Sequence, residues 1–296
     1  MKTVVGLFLC FFSVAAFAST FVAGGELGRL GVSPLAIVFI RFALAGSVML
    51  AFESRNEASR TILFRKPTKK DWFNYFVTGV IGTTMMSYCI FKASALVPSA
   101  NAAMSDALAP LIIFVLCAIM AQKARIWQIL GALVGFAGAA MVNGFITARG
   151  IDFSSFSLGD FFVLGGATTW AIYTVAGRPL VEKFGSTAFS AVTMAFGAIA
   201  CVPFLFFNDV VWPTSFRSAM LIAYIAIVPT IGAFWARNAA HKFISMSVLG
   251  MTGYFTPVFA MVIAYFGFGE TSTPLQIIGS LAVGFSALVE IKGAGK

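Results

Sequence analysis

The residues of this chain best suited to chemistry are a few polar groups set in apolar surroundings. Asp106 is the clearest. It lies in the stretch 94–114, SALVPSANAAMSDALAPLIIF, together with Asn101 and Ser105 and just ahead of Pro110. A carboxylate at membrane depth costs roughly 2.5–3.5 kcal/mol on insertion scales, so it normally faces protein or a wet cavity. Arg41 stands seven residues into the apolar run that begins at Pro34, and Asp106 seven residues beyond Ser99. At the helical rise both lie about 10 Å deep. Paired with one another, they would lower the cost of both charges. Three roles stay open for Asp106: a structural partner of Arg41, a proton-coupled carboxylate, or a binding group for an amino or other cationic substrate.

Aromatic residues with polar tips form a second group: Tyr88, Trp170, Tyr173, Trp235 and Tyr254. Such residues usually gather at membrane interfaces. Trp170 and Tyr254 fall mid-span instead, where they could line a cavity and stack on a flat or cationic substrate. Core packing also explains each one taken singly. Ser19, Thr20, Asn101, Asn238 and Thr256 could add hydrogen bonds at the same depth. The single histidine, His241, sits beside Lys242 and reads as a surface residue of a basic loop rather than a titrating switch. The four cysteines form no C-x-x-C pair, so neither a disulfide framework nor a zinc site is indicated. With no H-E-x-x-H or G-x-S-x-G motif, an enzyme is not expected, and no metal or cofactor is implied.

The elements that must position these groups are membrane spans. The chain has 296 residues, 59% hydrophobic and only 10% charged. Soluble domains carry about 25% charged residues. Ten apolar spans can be marked, at about 4–23, 34–52, 72–91, 99–120, 126–144, 158–177, 187–207, 217–237, 244–267 and 274–291. The start of the chain, with an Ala16-Phe17-Ala18 triplet, has the look of a signal peptide. The repeat described next argues for its retention as a core element.

Pro110 aligns with Pro257, and Gln128-Ile129-Leu130-Gly131 then falls one residue from register with Gln276-Ile277-Ile278-Gly279. Val22-Ala23-Gly24 likewise matches Val175-Ala176-Gly177. The chain therefore reads as two five-span repeats, 1–147 and 148–296. An odd number of spans per repeat makes the second run opposite to the first, giving an all-α membrane protein of two inverted repeats around a central cavity. Of the 20 Lys and Arg residues, fifteen, Arg237 among them, fall on the side of the N-terminus. Only Arg29, Lys92, Arg149 and Arg217 fall on the other side, which predicts cytoplasmic termini. The net charge of +9 follows from this orientation bias and does not call for a nucleic-acid partner.

The segments 39–45 (FIRFALA), 93–103 (ASALVPSANAA) with Pro110, and Gly131 to Gly138 resemble the EamA-type module of the drug/metabolite transporter superfamily. In the second half, 169–174 (TWAIYT) and 253–258 (GYFTPV) look most like the aromatic-amino-acid exporter branch. The resemblance implies a multi-pass exporter of the bacterial inner membrane. Its implied cargo is aromatic or other neutral amino acids and similar small metabolites, carried by alternating access. Drug, quaternary-amine or nucleotide-sugar transport on the same fold is the nearest alternative, and a non-transporting receptor or scaffold a more distant one. The expected substrate-binding set is Arg41, Tyr88, Asn101, Asp106, Trp170, Tyr173, Trp235, Tyr254 and Thr256. The expected partners are a small-molecule substrate and membrane lipid, with the chain a monomer or homodimer.

Overall fold

The computed structural model describes residues 2–55, 67–109, 112, 126–142, 145–147, 150–151, 156–240, 243 and 252–294. Pro110 and His241 lie outside these residues. The fold is all-α. Its helices are α1 (Lys2–Arg29), α2 (Pro34–Arg55), α3 (Lys69–Leu96), α4 (Ser99–Ala102, then 104–109 after a turn at Ala103), and α5 (Ile126–Val142). They continue with α6 (Leu158–Phe184), α7 (Ser186–Phe207), α8 (216–240), α9 (Thr256–Phe268, preceded by the 3₁₀ turn Thr252–Phe255) and α10 (Pro274–Ala294). Among the described residues, five helices are long and apolar enough to cross a membrane: Val4–Arg29, Pro34–Arg55, Lys69–Leu96, Ser186–Phe207 and Phe216–Arg237.

Helix starts are written in the sequence. Thr68 with Asp71 opens α3, Ser157 with Asp160 opens α6, and Ser215 with Ser218 opens α8, each as a reciprocal capping box that satisfies two orphan amides. Proline at the first position starts α2 and α10, where its missing N–H costs nothing. Several helices outrun the apolar spans expected from sequence. α1 reaches Arg29 and α6 reaches Phe184, because polar residues at a membrane surface continue a helix readily. A short antiparallel hairpin, Ile146–Thr147 with Gly150–Ile151, joins the halves and was not expected from sequence.

α2 packs along α7, α5 along α10, α3 along α6, and α1 along α8 and α9. α5 and α10 meet backbone to backbone. A Cβ on Gly138 would stand 2.6 Å from the Gly279 carbonyl oxygen, and a Cβ on Gly279 equally 2.6 Å from that of Gly138. Glycine at both positions lets two helices approach where apolar lipid supplies no hydrophobic drive of its own. One core cluster gathers α1, α3, α4 and α6 around Met104 and Tyr254; a second gathers α1, α2, α7 and α8 around Phe42 and Ile222.

Candidate functional site

Two helices change their winding where they reach the centre of the molecule. Val77–Met85 in α3 and Ala226–Gly232 in α8 are π-helical. The wider turn leaves carbonyls without ordinary partners. In α8 the cause is Pro229, which has no N–H to give to the carbonyl of Ile225. The Thr230 hydroxyl takes over, donating to Ile225 O at 2.7 Å. Its lone pair then faces outward and accepts from Arg41 Nε at 2.6 Å. In α3, Thr83 Oγ1 donates to Thr78 O at 2.9 Å, the same five-residue step back along the helix. Thr84 Oγ1 donates to Gly197 O of α7 at 2.9 Å.

These two stretches flank a central cavity. Its walls come from α1 (Phe17, Thr20, Phe21), α2 (Arg41, Phe42), α3 (Gly82, Thr83, Met86, Ile90), α4 (Asp106), α6 (Trp170, Tyr173), α7 (Thr193, Met194) and α8 (Phe234). Both halves of the sequence thus contribute. The cavity is narrow, about 60 Å³, room for a few waters.

One wall is an aromatic platform. The rings of Trp170 and Tyr173 lie 5.2 Å apart and 9° from parallel. Tyr173 also meets Phe189, with ring centres 5.2 Å apart. Its Cβ presses on Gly82, where an added Cβ would fall 2.7 Å from it. Tyr173 is therefore fixed in place, and the stack offers the indole of Trp170 to the cavity.

The other wall is charged. Arg41 is 5% exposed, with its guanidinium carbon 5.1 Å from the centre of the Phe42 ring and 5.7 Å from that of Phe91. Asp106 lines the cavity within reach of the charges of Arg237 and Arg41. Among the described residues, neither arginine comes within 4.0 Å of a carboxylate oxygen, so the close Arg41–Asp106 ion pair considered from sequence does not form. Arg41 spends its Nε on Thr230 instead. The Thr20 hydroxyl, buried in the cavity wall, has no hydrogen-bond partner among the described residues.

The structure brings Arg41, Asp106, Trp170 and Tyr173 together at this cavity; Thr256 is buried but does not line it. The other expected residues lie elsewhere. Trp235 is 62% exposed on the outside of the bundle. Phe234 takes the inward position, since neighbours on a helix point about 100° apart. Tyr88 packs edge-on against Phe162, their ring centres 6.2 Å apart. Asn101 accepts a hydrogen bond from Gln276 Nε2 at 3.2 Å, away from the cavity lining. Tyr254 is only 2% exposed and belongs to the core cluster around Met104. Thr83, Thr193 and Phe234 line the cavity and were missed by sequence reasoning, since nothing in an apolar span marks which way such residues point.

A second polar cluster closes the end of the bundle away from the N-terminus. Arg29 of α1 donates to Glu270 at 2.9 Å and lies 3.5 Å from Glu26. Arg217 of α8 pairs with Glu26 at 2.7 Å. Glu270, in the α9–α10 loop, also accepts from the Ser99 amide and hydroxyl, each at 3.2 Å. Helices from both halves are thereby tied across one mouth.

The chain matches the EamA-like transporter family over residues 4–144 and 157–290. It is 26% identical to an aromatic amino acid exporter, YddG, of Ancylobacter novellus, with 88% of each chain covered. It is 24% identical to a probable terminal-alkyne amino-acid exporter of Streptantibioticus cattleyicolor, over 91% of this chain and 84% of the relative. An uncharacterized transporter of Archaeoglobus fulgidus is 23% identical over 86% of this chain and 87% of its own. A solved crystal structure superposes with a TM-score of 0.66, covering 98% of this chain and 96% of its own at 22% identity, which bears on the fold alone.

Proposed function

Since this chain belongs to the EamA-like transporter family, we propose that it exports small organic molecules, foremost aromatic or other neutral amino acids, across a bacterial inner membrane. The observation that carries this reading is the central cavity. It lies between the two halves, with an indole platform on one wall and Arg41 and Asp106 on the other. An aromatic amino acid offers a flat ring to the first and charged groups to the second. Two relatives, one named an aromatic amino acid exporter and one a probable amino-acid exporter, favour the same class.

In this reading the chain crosses the membrane ten times as two inverted five-helix repeats, with both termini cytoplasmic. Several features support the inversion. The π stretches of α3 and α8 occupy corresponding places, and Thr83 and Thr230 are separated by the same 147 positions as Pro110 and Pro257. The helix pairs α2–α7 and α5–α10 join elements that would be repeat-equivalents. The fifteen-to-four distribution of basic residues supports the orientation. Transport then proceeds by rocking of one repeat against the other around the cavity. The narrow cavity and the ion pairs across the far mouth suit a state closed toward the outside.

Purified protein in liposomes loaded with labelled tryptophan tests the reading. Efflux faster than from protein-free liposomes, and slowed by unlabelled phenylalanine, is the expected result. Efflux no faster than from empty liposomes for every neutral amino acid tried would overturn it.

A further inference from the structure

We propose that Thr20 is a cargo-binding residue of the central cavity, its hydroxyl donating a hydrogen bond to the carboxylate of an amino acid held there. The inference rests on the cavity being the transport site.

A threonine inside a helix normally gives its proton to a carbonyl about one turn back on the same helix. Buried threonines elsewhere in this protein do so. Thr78, Thr169 and Thr193 donate to carbonyls four residues back, and Thr83, Thr84 and Thr230 to carbonyls five back. Thr20 differs. It is 4% exposed, and its hydroxyl has no hydrogen-bond partner among the described residues. The carbonyl four residues behind it, that of Ala16, already accepts from the Ser19 hydroxyl at 2.7 Å. Ser19 itself is fully engaged, since it also accepts from Tyr224 at 2.8 Å.

The position of Thr20 gives its proton a use. It lines the cavity, as do Arg41, Asp106 and the aromatic stack of Trp170 and Tyr173. Two other threonines belong to the lining, Thr83 and Thr193, and both have spent their protons on helix carbonyls. Of the three, Thr20 alone has a proton to give. An amino acid brings one strong acceptor, its carboxylate. At about 60 Å³ the cavity admits only a few waters, so cargo must widen it, and widening uncovers the hydroxyl. A buried donor without a partner costs stability, and a charged acceptor repays it better than a neutral one. Binding sites commonly carry such a cost while empty.

Phenylalanine titrated calorimetrically into the full-length protein in nanodiscs tests the inference, with wild type, Thr20→Val and Thr20→Ser compared. Thr20→Val keeps the shape and removes the donor. It is expected to bind phenylalanine about tenfold more weakly. It is also expected to unfold at a temperature no lower than wild type, because it deletes an unsatisfied group. Thr20→Ser is expected to keep most of the affinity. Phenethylamine, which lacks the carboxylate, is expected to bind wild type and Thr20→Val alike. Unchanged phenylalanine affinity in Thr20→Val would overturn the inference. So would an equal loss for phenethylamine, or an unfolding temperature lowered by the substitution, which would assign the hydroxyl to the packing instead. Each of these leaves the exporter reading intact. If wild type binds no phenylalanine at millimolar concentration, the inference also fails, and the liposome assay then judges the exporter reading separately.

Discussion

Arg41 Nε lies 2.6 Å from Thr230 Oγ1, and the same hydroxyl donates at 2.7 Å to the carbonyl of Ile225. One threonine thus repairs the carbonyl that Pro229 leaves open and holds a buried arginine at the cavity. Thr230→Val keeps the shape and removes both bonds. It should cost about 1–3 kcal/mol, as expected for stranded buried polar groups, and reduce transport. Thr230→Ser should retain both properties. Thermal unfolding in detergent, followed by efflux from liposomes, measures the two effects.

Gly82 faces Tyr173 so closely that an added Cβ would sit 2.7 Å from the tyrosine Cβ and 3.1 Å from its Cα. The tyrosine backbone cannot rotate away as a side chain could. Gly82→Ala should therefore push α3 from α6, cost roughly 1–3 kcal/mol and displace the aromatic platform. A lowered unfolding temperature together with weaker substrate binding is the expected result.

The two tryptophans expected from sequence at the site should behave differently. Trp170 belongs to the cavity stack, and its replacement by Ala should lose about 0.5–1.5 kcal/mol of ring contact with an aromatic substrate. Trp235 is exposed on the outer face, so Trp235→Phe should leave apparent affinity unchanged. Concentration dependence of efflux for the two variants makes the comparison.

Glu270 ties Arg29 and Ser99 across the far mouth. Surface ion pairs contribute only about 0–1 kcal/mol, so Glu270→Gln should barely change the unfolding temperature. It should instead loosen the mouth. A thiol placed by Thr20→Cys, with the native cysteines replaced, should react faster with an impermeant reagent applied from that side.

What could be read in the sequence follows from what membrane chemistry constrains. Span lengths and the cost of Asp106 and Arg41 are set by the bilayer, and the structure brings these two residues to one cavity. Helix rotation is less constrained. In a span that is apolar on every face, the sequence carries little amphipathic signal, so Trp235 and Phe234 could not be told apart. The π stretches shift rotation further, and only Pro229 hinted at one of them.

The central claim is that small organic molecules pass through the cavity between Trp170 and Asp106. The most direct measurement is efflux of labelled tryptophan from liposomes carrying either the wild-type protein or the Trp170→Ala, Asp106→Asn double variant, with unfolding temperatures taken as a control for folding. Rapid efflux by the wild type, and its loss in a variant that unfolds at a similar temperature, is the result this account predicts. Equal efflux from both proteins would contradict it.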